Sequence, residues 1–128
     1  MSAEPIPPMS VERWITNLLE AAAEIADKEH QELRWLATDA YAWERPEELI
    51  NVLLDDCVFE GFIEECAPTF SAEQCDAACG LRDELNRYCN ATPQWLDPAE
   101  VLVDPRWESI RRRAEAFAAA FKGNWPSP

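Results

Sequence analysis

Basic residues are scarce in this chain: 11 Lys and Arg face 25 Asp and Glu over 128 residues, a formal charge of −14. That deficit argues against nucleic acid as a direct partner, because neutralising phosphates takes clustered cations, and anionic membrane surfaces are disfavoured for the same reason. Histidine occurs once, as His30, inside the polar run 28–32. A single histidine supplies neither the paired Glu-x-x-His ligands of a di-metal bundle nor a supported Cys–His or Ser–His nucleophile. Glycine occurs three times, too few for a phosphate-cradling loop or a set of hairpins. No apolar run approaches the length that spans a bilayer. The opening Met1-Ser-Ala-Glu-Pro has neither the basic nor the apolar region of a secretory signal, so a cytoplasmic protein is expected.

Five cysteines, Cys57, Cys66, Cys75, Cys79 and Cys89, fall within 33 residues. Their odd number suits reduced thiols. Cys75-x3-Cys79 sets two thiols one helical turn apart, a spacing that could pinch a metal, but no Cys-x-x-Cys knuckle accompanies it. Small buried cysteines are the plainer reading. Neither a catalytic residue, nor a metal ligand, nor a cofactor is expected, and the chain reads as a non-enzyme.

Hydrophobic residues make up 48% of the chain and six are Trp, enough for one packed domain. Their spacing is helical throughout. Ser10 reads as the cap of a stripe through Val11, Trp14, Ile15, Leu18, Leu19, Ala22, Ile25 and Ala26. Leu33, Leu36, Ala37 and Ala40 continue its period, leaving open whether 11–43 is one helix or two. Pro46 opens the next helix, with Ile50, Leu53, Leu54 and Cys57 on one face. Phe59, Phe62, Ile63 and Cys66 then form a second stripe roughly opposite the first. One straight helix cannot bury both, so a break is expected at Asp55-Asp56, with Asp56 capping a short helix that ends before Pro68. Ser71 with Gln74 forms a capping box for a helix to about Cys89, burying Ala78, Leu81, Leu85 and Tyr88. Asp97-Pro98 and Asp104-Pro105 each pair a cap with a first-turn proline, the second opening a long helix of Trp107, Ile110, Ala114, Phe117, Ala118 and Phe121. The expectation is an all-α single-domain bundle of five to seven helices with no sheet: a Pro-rich lead-in 1–9, one helical domain 10–122 and a tail 123–128.

Charge is unevenly spread. Residues 44–80 hold ten acids against one base, Arg45, and so carry −9 of the −14. Aromatic and aliphatic residues are interleaved with these acids, the composition of an interface for a basic partner. The candidate partner-binding residues are Trp43, Glu44, Glu47, Glu48, Asp55, Asp56, Phe59, Glu60, Glu64 and Glu65, with Trp43 and Phe59 as anchors. The basic triplet Arg111-Arg112-Arg113 is accounted for by pairing with Glu108 and Glu115 along the helix.

The layout Arg13-Trp14-x-x-Asn17, Arg34-Trp35-Leu-Ala, Asp39-Ala-Tyr41, Leu53-Leu54-Asp55-Asp56 and Asp104-Pro-Arg-Trp107 resembles small acidic all-α bacterial immunity proteins of polymorphic and contact-dependent-inhibition toxin systems. The resemblance implies a cytoplasmic, stoichiometric inhibitor that binds one cognate toxin domain, often a basic nuclease. It assigns no residue, because such proteins diverge most at the contact surface. A helical adaptor that self-associates through Phe59, Phe62 and Ile63 is the competing expectation.

Overall fold

The computed structural model describes residues 11–35, 45–66, 70–92 and 96–121, with the side chains of residues 11, 12, 56, 65 and 66 excepted. The expected lead-in, the Ser10 cap, Leu36, Ala37, Ala40 and the tail lie outside them. Every described element is helical, as the spacing predicts: α1 (Val11–Ala26), α2 (Lys28–Trp35), α3 (Pro46–Asn51), α4 (Phe59–Cys66), α5 (Ala72–Ala91), α6 (Pro98–Val103) and α7 (Pro105–Phe121). α3 runs into one wider turn, Val52–Asp56.

α7 is the centre of the bundle, packing along both α1 and α5. Its buried stripe, Trp107, Ile110, Ala114, Phe117 and Phe121, recurs every three or four residues. It meets Ile15, Leu18, Ala22 and Ile25 of α1 and Ala78, Leu81, Leu85 and Tyr88 of α5 in one continuous core. Phe59, Phe62, Phe70, Phe117 and Phe121 form an aromatic cluster of edge-to-face and tilted pairs at one end, with centroids 4.9–6.0 Å apart. Such pairs add about 0.5–1.5 kcal/mol each beyond the area they bury.

Residues 11–35 form two helices, although the junction contains neither Gly nor Pro. Asp27 breaks them: its side chain accepts the His30 backbone N–H at 3.0 Å, capping α2. The break resets the register, which corrects the expected continuation through Leu33. Leu33 is 72% exposed, and α2 turns Gln31 and Trp35 inward instead. Gln31 lies in a run that reads as solvated, yet it is fully buried. Its Nε2 donates to the α1 carbonyls of Glu24 (2.9 Å) and Ile25 (2.7 Å), and its Oε1 accepts from Trp107 Nε1 at 3.0 Å. One side chain thus satisfies two helix-end carbonyls and fastens them to α7.

The capping box of α5 is present in full: Ser71 Oγ accepts from Gln74 N at 3.1 Å, and Gln74 Oε1 accepts from Ser71 N at 3.1 Å. Gln74 Nε2 also donates to Ala120 O at 3.1 Å, which ties the start of α5 to the end of α7. Asp97 and Asp104 cap α6 and α7 through the N–H groups of Ala99 (3.0 Å) and Arg106 (2.9 Å).

Candidate interaction surface

The acidic segment begins with a clasp. Arg45 Nη2 donates to Leu96 O at 2.9 Å, Glu47 Oε2 accepts from Leu96 N at 2.9 Å, and Arg45 Nε lies 2.6 Å from Glu47 Oε1. Glu47, named as a contact residue from sequence, is therefore committed inside the fold: it joins the first turn of α3 to the approach of α6. Glu48, beside it, is exposed.

Both apolar stripes of the segment are buried. Ile50, Leu53 and Cys57 face the core from one side, and Phe59, Phe62 and Ile63 from the other. Two backbone devices reconcile them. Cys57 N donates to Val52 O at 2.9 Å, a bond that spans five residues rather than four and slips the register by one. The chain then breaks at Val58, whose φ of 50° lies in the left-handed region. The break thus falls two residues beyond the expected Asp55-Asp56, and α4 starts at Phe59 and ends at Cys66, before Pro68. α1 supports it from beneath: Trp14 Nε1 donates to Cys57 O at 2.6 Å, and the Trp14 ring packs edge-on against Phe62 with centroids 5.4 Å apart.

The corner so formed is acidic and carries one apolar residue. Val58 is 53% exposed, with Asp55 before it and Glu60 and Glu64, one turn apart on α4, after it. Asp55, Glu64 and the exposed Glu48 of α3 make no ion pair among the described residues. Glu60 Oε1 lies 3.1 Å from Arg82 Nη1 of α5, but that guanidinium is shared with Asp83, whose hydrogen bond is the main reason the Arg82 pKa is raised. A surface pair of this kind neutralises little.

Phe59 is a correction. It is fully buried and packs edge-to-face on Phe117 at 5.3 Å, so it anchors the core and not a partner. The expected self-association stripe fails for the same reason: Phe59 and Phe62 are fully buried and Ile63 nearly so. Trp43 and Glu44 lie outside the described residues, as do the side chains of Asp56 and Glu65. The structure therefore leaves Asp55 exposed before the break at Val58 and Glu60 and Glu64 exposed after it, keeps Glu48 exposed on α3 and withdraws Glu47 and Phe59. Val58, which the spacing does not single out, takes the exposed apolar place. The register slip was the signal that could have found it, since one residue at such a break has to turn outward.

Cys57 is buried, Cys75 and Cys79 are half-buried and Cys89 is exposed. Although Cys89 is exposed overall, partial desolvation of its sulfur and then the charge of Asp55 push the thiol pKa up, away from the reactive thiolate. Among the described residues no three His, Cys, Asp or Glu side chains are grouped to hold a metal, and no helix is long and apolar enough to cross a membrane. Neither a protein-family model, nor a curated protein, nor a solved structure matches the chain significantly.

Proposed function

We propose that this chain is an immunity protein: a cytoplasmic, non-enzymatic inhibitor that binds a cognate basic toxin domain, of nuclease type, one-to-one through the corner around Val58. The observation that supports this is the strained, exposed Val58 between Asp55 and Glu64, which make no ion pair among the described residues, and Glu60, which shares Arg82 with Asp83. A left-handed conformation costs a non-glycine residue about 1–2 kcal/mol, and a β-branched side chain there is a genuine outlier. Strain of this kind concentrates at functional sites. Asp55, Glu60 and Glu64 would meet the cations that line a phosphate-binding cleft, and Val58 would supply the desolvated contact at its centre.

The test starts in the gene neighbourhood: a small basic, nuclease-like toxin domain encoded immediately upstream is expected, and that domain is then mixed with this chain. Mixing the two should give a one-to-one complex and block cleavage. Reversing Asp55, Glu60 and Glu64 to Lys should slow association about tenfold or more at low salt, with the helical circular dichroism unchanged. An unaltered association rate in the folded triple variant would remove the corner as the contact surface.

A further inference from the structure

The exposed valine does not stand alone at the break. Gly61 lies in the first turn of α4, where glycine costs about 1 kcal/mol against alanine. Space accounts for it: a Cβ at Gly61 would stand 3.0 Å from Val58 Cγ1 and 4.0 Å from Trp14 Cη2 and Cζ2. Val58 therefore lies back along α4 over a bare stretch of backbone, and the six-membered ring edge of Trp14 borders the same stretch. Trp14 and Gly61 are half-buried and Val58 is exposed, so the three make one apolar strip that solvent reaches, shared between α1 and α4. Trp14 is held in place by its bond to Cys57 O and its contact with Phe62. A carboxylate closes one end of the strip, because the exposed Glu64 follows Gly61 by three residues on the same side of α4 and makes no ion pair among the described residues. Asp55 stands at the other end, its carbonyl accepting from Val58 N at 3.3 Å.

A strip that is apolar along its length and anionic at its ends suits a cation on a long aliphatic stem. Lysine and arginine both lay such a stem on apolar surface while the head reaches a carboxylate. The aromatic edge favours the guanidinium, which is the more weakly hydrated head and stacks against rings. We propose that this strip receives an arginine side chain of a basic partner, with its methylenes over Val58, Gly61 and Trp14 and its guanidinium on Glu64. The −9 carried by residues 44–80 supplies the field that draws it in. The inference rests on the proposed function: it adds Trp14 of α1 to the contact surface and names the group that the partner inserts.

The probe is N-acetyl-arginine methylamide, titrated at low salt into the full chain labelled with ¹⁵N. N-acetyl-lysine methylamide is the control for the head, and methylguanidinium the control for the stem. The arginine derivative should shift the amides of Val58, Gly61 and Glu64 and the Trp14 indole N–H, and should bind about threefold more tightly than either control. Val58→Ala and Glu64→Gln, both at exposed positions, should each weaken it about threefold with circular dichroism unchanged. Glu73→Gln, which removes an exposed charge from α5, should leave the affinity as it was. Equal binding of methylguanidinium, which marks a bare charge effect, or of the lysine derivative would overturn the proposal. So would shifts confined to other helices, full affinity in either folded strip variant, or an equal loss in Glu73→Gln. The probe contains no toxin, which separates two failures. A toxin domain that binds the chain while arginine passes the strip by keeps the proposed function and removes this inference. Arginine on the strip with no toxin bound removes the proposed function alone and leaves the strip to a different basic partner.

Discussion

At the scale of single residues, two buried glutamines fasten helix ends that apolar packing alone would leave unsatisfied. Gln31 makes three side-chain hydrogen bonds at no exposure. Its replacement by Leu keeps the volume but strands the Trp107 indole N–H and the Ile25 carbonyl, while Glu24 O keeps a long bond from Asp27 N, so Gln31→Leu should lower unfolding stability by about 2–4 kcal/mol, measured by urea denaturation. Arg111 is the opposite case. It pairs with Glu108, as the sequence suggests, yet it is 4% exposed and its Nη1 has no hydrogen-bond partner among the described residues. Arg111→Met keeps most of the packing and removes the stranded donor, so its melting temperature should equal or exceed that of the parent chain, whereas Arg111→Ala should lose packing and melt lower. Tyr88 is buried, which pushes its phenol up to about 12. The unfolded chain releases this proton near pH 10 and the folded chain holds it, so stability should fall as pH rises from about 10 towards 12. Phenolate absorbance near 295 nm should therefore appear together with unfolding.

At the scale of elements, much of the architecture was legible because it is written in short-range chemistry. The Ser71–Gln74 box, the Asp97 and Asp104 caps and the stripes of α5 and α7 stand where the side-chain types place them. What spacing could not show is how a break re-aims the helix after it. Asp27 needs no glycine to end α1, and once it does, the period that included Leu33 no longer applies. The candidate surface was legible in part for the same reason. Charge located the segment, but a carboxylate that clasps Leu96 and one that faces solvent look alike in sequence, as Glu47 and Glu48 do. The Val58 corner provides a direct test. Val58→Gly removes the left-handed penalty and should raise stability by about 1 kcal/mol in denaturant unfolding, and, under the proposed function, should weaken binding of a toxin domain by taking away the exposed apolar contact. The Asp104 cap carries a pH dependence of its own. The Arg106 guanidinium holds that carboxyl below the usual range, so its contribution is complete at neutral pH and is lost as acid protonates it below about pH 4. Asp104→Ala should cost about 1 kcal/mol at pH 7 and much less at pH 3.

At the scale of the whole molecule, −14 has to be carried by a single small core. Self-repulsion of that size works against compaction and is screened by salt. Raising NaCl from about 0.02 to about 0.5 M should lift the melting temperature by a few degrees. A fall would mean that ion pairs such as Arg45–Glu47 outweigh the repulsion. The same salt should slow association with a basic toxin domain, so stability and binding rate should move in opposite directions along one titration.

The wider turn at Val52–Asp56 also bears on how such a chain can change by mutation. Its extra backbone residue is equivalent to a one-codon insertion kept within a helix. Deleting any codon between 52 and 56 would restore an ordinary helix and rotate all that follows by about 100°. Phe59 and Phe62 would then swing out of the aromatic cluster and carboxylates would swing in. Substitutions at exposed positions in or just beyond this stretch, Asp55 and Glu60 among them, leave the core untouched. Length here is constrained while surface identity is free to drift, so the face can acquire a new partner without the fold being rebuilt.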